Sequence, residues 1–121
     1  MITLNDKTFT CPIDVSLHFI NGKWKILVLS HLHRYEKRSF SEIRDNLPGV
    51  SEKMLTQQLR QLEGDGLISK TVLSLKPYRV EYALTASGKS FSPMYEFLSQ
   101  WGIQYLKEQG IDYLKDQQLY K

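Results

Sequence analysis

The stretch from Ser39 to Leu84 limits the fold most, because its apolar period changes from helical to extended partway along. Leu55, Leu59 and Leu62 recur at i, i+4 and i+7, so a helix over Glu52 to Glu63 gathers them on one side. Ser51 stands at the N-cap of that helix, and Gly64-Asp65-Gly66 stops it. Upstream, Ser39-Phe40-Ser41-Glu42 has capping-box spacing, in which a serine and a glutamate three residues on satisfy each other's backbone N–H groups. It opens a short helix ending near Asn46, with Phe40, Ile43 and Leu47 inward, and Pro48-Gly49 turns the chain. Downstream the period falls to two. Leu67–Leu75 and Arg79–Leu84 read as strands joined through Lys76-Pro77-Tyr78, with Val80, Tyr82 and Leu84 on one face.

The flanks read as helical. Residues 1–10 carry no period and are expected to form a flexible arm. Cys11-Pro12 starts a helix, since proline at the first helical position forfeits no hydrogen bond. Ile13, Leu17 and Ile20 share one face of it, Val15 and Phe19 fall on the other, and Asn21-Gly22 ends it. A second helix over Lys23 to Leu32 carries the stripe Trp24, Leu27, Val28 and Leu32. His33–Arg38 is polar and reads as a loop. Thr85 caps the last helical region, where Met94, Leu98, Trp101 and Tyr105 share a face. Pro93 either kinks one long helix or follows a fresh cap at Ser92. Residues 111–121 form a tail with no assignment.

A chain of 121 residues is one domain in length. Its longest apolar run, Ile26 to Leu29, is four residues, whereas a membrane helix needs ~20. Residues 1–20 carry Asp6 and Asp14 and no long apolar core, so a secretory signal is not expected either. The single cysteine, Cys11, permits no intrachain disulfide and no cysteine-based zinc site. His18, His31 and His33 have no metal-ligand spacing. The expectation is a cytoplasmic protein with no metal and no cofactor.

The net charge of +3 is unevenly placed: residues 23–82 hold eleven Lys and Arg against seven Asp and Glu, while residues 85–121 hold four of each. A basic middle suits a polyanion. The second helix of a helix-turn-helix enters the DNA major groove, which is ~12 Å wide and admits one helix. Such a helix needs an apolar back and a front of donors. Leu55, Leu59 and Leu62 supply the back. Lys53, Thr56, Gln57 and Arg60 supply the front, with Glu52 and Glu63 only at its edge, and Ser51 can reach a phosphate or a base edge. Lys76 and Arg79 flank the hairpin turn, as a wing laid along the minor groove requires. An enzyme fares worse: there is no phosphate-binding glycine loop, no credible carboxylate pair, and only Cys11 with His18 for a thiol chemistry. A winged helix used for protein contact alone is disfavoured by the acid-poor front.

Four segments, Gly22-Lys23-Trp24-Lys25, Leu55-Thr56-Gln57-Gln58-Leu59-Arg60-Gln61-Leu62-Glu63, Asp65-Gly66-Leu67-Ile68 and Val80-Glu81-Tyr82-Ala83-Leu84-Thr85, occur in order, with Cys11-Pro12 before and Trp101-Gly102 after. In this the chain resembles the HxlR-type winged helix-turn-helix regulators, related in shape to the MarR group, over about Cys11 to Gly110. The resemblance implies an α+β, mainly α fold: a winged helix-turn-helix whose N- and C-terminal helices build a dimer interface. It places the domain at 11–110, with the helix-turn-helix at 39–64, the wing at 67–84 and a dimerisation helix at 85–110. It implies a bacterial or archaeal transcription factor, a homodimer on a pseudo-palindromic double-stranded operator. Departures are Asn21-Gly22 in place of a glycine pair, the lack of an aromatic at Val72-Leu73, and the individual turn Lys76-Pro77-Tyr78.

A dimer is expected on physical grounds too. One short helix touches few base pairs, and two-fold pairing sets half-sites ~34 Å apart. Phe97, Trp101 and Tyr105 are the expected anchors of that interface. Cys11 has two readings. As an inert cap it leaves control to a non-covalent ligand. As a sensor it places a thiolate beside unpaired N–H groups and the positive end of a helix dipole, an effect opposed by Asp6 and Asp14. Family members with a cysteine here include sensors of oxidants, quinones and aldehydes. With one cysteine per chain, oxidation leads to an intersubunit disulfide, a mixed disulfide or a higher oxide.

Overall fold

The structure, a computed structural model, describes residues 1–116, in two units, Met1–Lys89 and a second beginning at Ser90. The first segment departs from expectation. Ile2–Leu4 (β1) and Lys7–Phe9 (β2) pair antiparallel about Asn5-Asp6. Both turn residues take positive φ, 49° and 64°, the twist a two-residue hairpin needs and one that Asn and Asp tolerate. The expected arm is thus a hairpin, and its Phe9 is buried. Cys11, in extended backbone, is the N-cap of Pro12–Ile20 (α1). Of the expected inner face only Ile20 is buried; Ile13 and Leu17 are 70% and 52% exposed.

The next helix, Trp24–Tyr35 (α2), outruns its expected end by three residues. Val28, Leu29 and Leu32 are buried, whereas Leu27, expected in the stripe, is exposed. Lys25 is buried as well, and its ammonium donates to Asn21 Oδ1 at 3.1 Å. The expected loop then gives way to a strand, Lys37–Ser39 (β3). Its sequence is polar throughout and has no alternation to read. Its partners lie more than forty residues on, Lys37 opposite Ala83 and Ser39 opposite Glu81.

Ser39 also begins Phe40–Asp45 (α3) through a complete capping box: its hydroxyl accepts from Glu42 N–H at 3.2 Å, and its own N–H donates to Glu42 Oε1 at 2.9 Å. Ile43 and Leu47 are buried and Phe40 is half-buried. Ser51 caps Glu52–Gly64 (α4), accepting from Met54 N–H at 3.0 Å. Leu55, Leu59 and Leu62 are buried, and α4 packs on α2.

The end of α4 sets the path into the sheet. Gly66 takes φ +78°. Its N–H donates to Glu63 O at 3.0 Å and Leu67 N–H to Leu62 O at 2.9 Å, the paired bonds of a Schellman cap. Ile68–Leu75 (β4) and Tyr78–Leu84 (β5) follow as an antiparallel hairpin, and β3 completes a sheet of order β3-β5-β4. Thr85 ties the far end of the hairpin back to its start. Its N–H donates to Leu67 O at 3.1 Å, and its hydroxyl donates to Gly66 O at 2.6 Å. The same hydroxyl accepts from Gly88 N–H at 3.1 Å, which caps the short helix Ala86–Lys89 (α5) as expected.

In the second unit Ser92–Glu108 (α6) carries Pro93 in its first turn, so proline starts a fresh helix; the capping position is Phe91, not Ser92. Gly110 and Ile111 close α6 by a second Schellman pair, onto Lys107 O and Leu106 O. A short helix, Tyr113–Asp116 (α7), lies in the expected tail, whose residues 117–121 are outside those described. Among the described residues no helix is long and apolar enough to cross a membrane.

Candidate nucleic-acid interface

The helix-turn-helix front is built by α4. With its leucines turned into the core, Lys53, Gln57 and Arg60 stand exposed and Thr56 half-buried on the opposite side, where they wall one shallow concavity. Ser51 is exposed at the head of the helix. Its oxygen accepts the capping bond from Met54, which leaves the hydroxyl proton free to donate to a phosphate. Glu52, the acid nearest this front, is held by Arg44 of α3, with Nη1 at 2.6 Å from Oε1. That hydrogen bond, then one to Asp45, raises the Arg44 pKa. The pair lies across the turn and sets a positive charge against the carboxylate at the edge of the α4 front.

The wing supplies the second wall. A cleft opens between α4 and the hairpin, and Thr56, Arg60, Lys70, Tyr78, Arg79 and Tyr82 line it. Arg79 therefore joins Arg60 and Thr56 in one site. Lys76 is exposed at the turn but is not among the walls. Lys70 is a wall that sequence reasoning missed. Its hydrogen bond with the Tyr78 side chain raises its pKa and holds it charged. Alternation over Ile68, Lys70 and Val72 is its one sequence signal, and that fails beyond Val72, where Leu73 bulges out of the ladder.

The remaining residues singled out lie elsewhere. Cys11 is half-buried at the head of α1, and its side chain makes no capping bond. Asp14 nearby accepts from Thr10 N–H at 2.9 Å. His18 is set edge-on to Phe9 and Phe19, with ring centroids 5.6 and 5.1 Å away. In the second unit Phe97, Trp101 and Tyr105 are all exposed on α6. The Trp101 and Tyr105 rings are stacked, 5.5 Å apart and within 10° of parallel.

Known proteins share this fold. The family model of HxlR-like helix-turn-helix proteins matches residues 19–110. An HTH-type transcriptional regulator of Methanothermobacter thermautotrophicus is 43% identical over 102 residues, 84% of this chain and 77% of its own. The crystal structure of the HTH-type transcriptional regulator YtcD is similar with a TM-score of 0.74 at 38% identity, over 81% of this chain and 99% of its own. The redox regulator HypR is similar in its oxidised form with a TM-score of 0.71 at 38% identity, over 76% of this chain and 94% of its own. Its reduced form gives 0.73 at 34% identity, over 88% and 99%. The mainly helical α+β winged helix-turn-helix, its acid-poor front and these relatives agree: the chain belongs to the HxlR-like helix-turn-helix family and is a DNA-binding transcriptional regulator, not an enzyme.

Proposed function

We propose that the chain binds a pseudo-palindromic operator as a homodimer and reads sequence with α4. The observation that carries this is the shared placement of Thr56, Arg60 and Arg79 around one cleft, beside exposed Lys53 and Gln57. In this reading Gln57 and Arg60 contact base edges, Thr56 packs at the groove floor, and Ser51, Lys53, Lys76 and Arg79 hold phosphates. In this reading residues 11–110 act as the regulatory domain, with the N-terminal hairpin ahead of them. Unpartnered apolar faces support the dimer: Ile13 and Leu17 on α1, and Phe97, Trp101 and Tyr105 on α6, stand in water in the single chain. Exposed aromatics of this size are anchors for an isologous interface.

An operator selected from random duplexes tests the assignment. Arg60→Ala or Gln57→Ala is expected to weaken binding by ~1–3 kcal/mol and to relax base preference at one position. Lys53→Ala should weaken all sequences alike and lower the salt dependence by about one counterion. Unchanged affinity in all three variants would remove α4 from the reading role.

Cys11 is proposed as the switch. Support comes from the likeness to a redox regulator of known oxidised and reduced structures, and from a sulfur left unused by the cap. A hydroperoxide oxidises the thiolate to a sulfenic acid and is itself reduced to the alcohol. Attack by the partner's Cys11 thiolate then gives a disulfide and releases hydroxide, which becomes water. Quinones or aldehydes would instead add to the sulfur. The bond displaces α1, and the dimer transmits that to its two α4 helices. Operator titration before and after hydroperoxide, quinone or aldehyde treatment should show a changed affinity in the wild type and none in Cys11→Ser. Equal responses in the two proteins would make Cys11 a structural cap and leave control to a non-covalent ligand.

A further inference from the structure

The tip of the wing is apolar where a phosphate-binding tip would be polar. Leu75 is 76% exposed, and Val72, Leu73 and Tyr78 are each about half exposed. The register places these side chains. Val72 lies opposite Val80, Ser74 opposite Arg79 and Leu75 opposite Tyr78, with Leu73 left over between them. Strict alternation from Val72 would send Leu75 to the far side of the sheet. The extra residue returns it to the side of Tyr78, Val80 and Tyr82. Tyr78, Val80 and Tyr82 of that side, with Leu73, wall the cleft shared with Thr56 and Arg60; Leu75 itself is not among its walls. Cations surround the tip, Lys70, Lys76 and Arg79, and no carboxylate occurs from Gly66 to Val80.

We propose that the wing is an apolar wedge, with Leu75 entering between two base pairs from the minor groove. The inference rests on α4 being the reading helix. Leucine and proline side chains part base steps in this way and kink the duplex. The flanking cations select the occupant. Phosphates run along both edges of a minor groove, and they complement a tip that carries Lys76 and Arg79 and has no acid from Gly66 to Val80. A protein surface has no such regular negative charge. Tyr78, opposite Leu75, packs behind it on the sugar edges. Pyrimidine–purine steps unstack most easily, so the wedge makes the flanks of the operator selective where no hydrogen bond reads a base.

The full chain is tested on duplexes selected from a random pool, with wild type, Leu75→Ser and Lys76→Ala compared. Leu75 is so exposed that serine leaves the thermal melt unchanged. Wild type is expected to enrich TA or CA/TG steps at the wing position and to favour them about tenfold over a GC step, as for one mismatched base pair. A fluorescent adenine analogue at that step should brighten on binding as its neighbour unstacks. Leu75→Ser should lose both the preference and the brightening and keep the salt dependence. Lys76→Ala should keep the preference and lose about one counterion. If Leu75→Ser keeps the step preference and the brightening, the wedge is wrong. If wild type selects a core half-site and shows no step preference, the wedge alone fails. If it selects no sequence at all, the reading helix fails with it.

Discussion

Leu55→Ala is expected to cost ~2–5 kcal/mol of folding stability, the range for truncating a buried leucine to alanine. Leu55 is 0% exposed, one of three leucines on the back of α4, and that helix rests on α2 and on the start of β4. The side chain lost is replaced by a cavity under the helix, because neighbours at native packing density collapse only in part. Each kcal/mol lowers the midpoint of a chain this size by roughly 4 °C, so a thermal melt reads the effect directly. Arg60→Ala, on the front of the same helix, is expected to leave the melt where it was and to weaken operator binding by ~1–3 kcal/mol. A Leu55→Ala protein that melts with the wild type would place that leucine outside the core.

Gly88→Ala is the second large effect, and its sign is diagnostic. Alanine is a better helix residue than glycine by ~1 kcal/mol, so an open site would gain stability. Here a methyl on Gly88 overlaps the carbonyl oxygen of Leu67 and sits 3.1 Å from Leu84 Cδ2. The carbonyl is backbone and already accepts from Thr85 N–H. Either α5 lifts or that bond breaks, and overpacking of this kind costs ~1–3 kcal/mol. Chemical denaturation of Gly88→Ala beside the wild type reads the sign of the net effect. A stabilised Gly88→Ala would mean that α5 does not approach β4 this closely.

Features decided within a few residues were legible in the sequence. The capping box at Ser39 and Glu42 spans three residues, and the leucine repeat of α4 reports its own burial. The α4 stop at Gly64-Asp65-Gly66 reads from glycine's tolerance of positive φ. What depends on distant partners was not legible. Strand β3 exists because residues 81–83 lie beside it, and Lys37-Arg38-Ser39 has no pattern of its own. Leu27 and Leu29 exchange roles because the strip of α2 that is covered depends on where α4 and β5 lie. The N-terminal hairpin is an intermediate case. Asn5-Asp6 is a turn pair, but strands of three residues are too short to show alternation. On the candidate interface, the front of α4 followed from helical geometry alone. The apolar side of the tip did not, since the bulge at Leu73 resets the strand by one residue; Lys70 lies before the bulge, where alternation over Ile68, Lys70 and Val72 could have marked it.

The knot around Thr85 has a consequence for how a chain like this can change over generations. Both strands of the wing are anchored at one place, where Thr85 holds Gly66 O and Leu67 O and the Schellman cap fixes the direction of departure. The outer hairpin, from Val72 to Val80, takes no part in that anchorage. A substitution or a change of length at the tip therefore alters what the wing touches without disturbing the core beneath α4. Target preference and foldability can drift under separate selection, and a lineage can sample new operators while its stability stays constant.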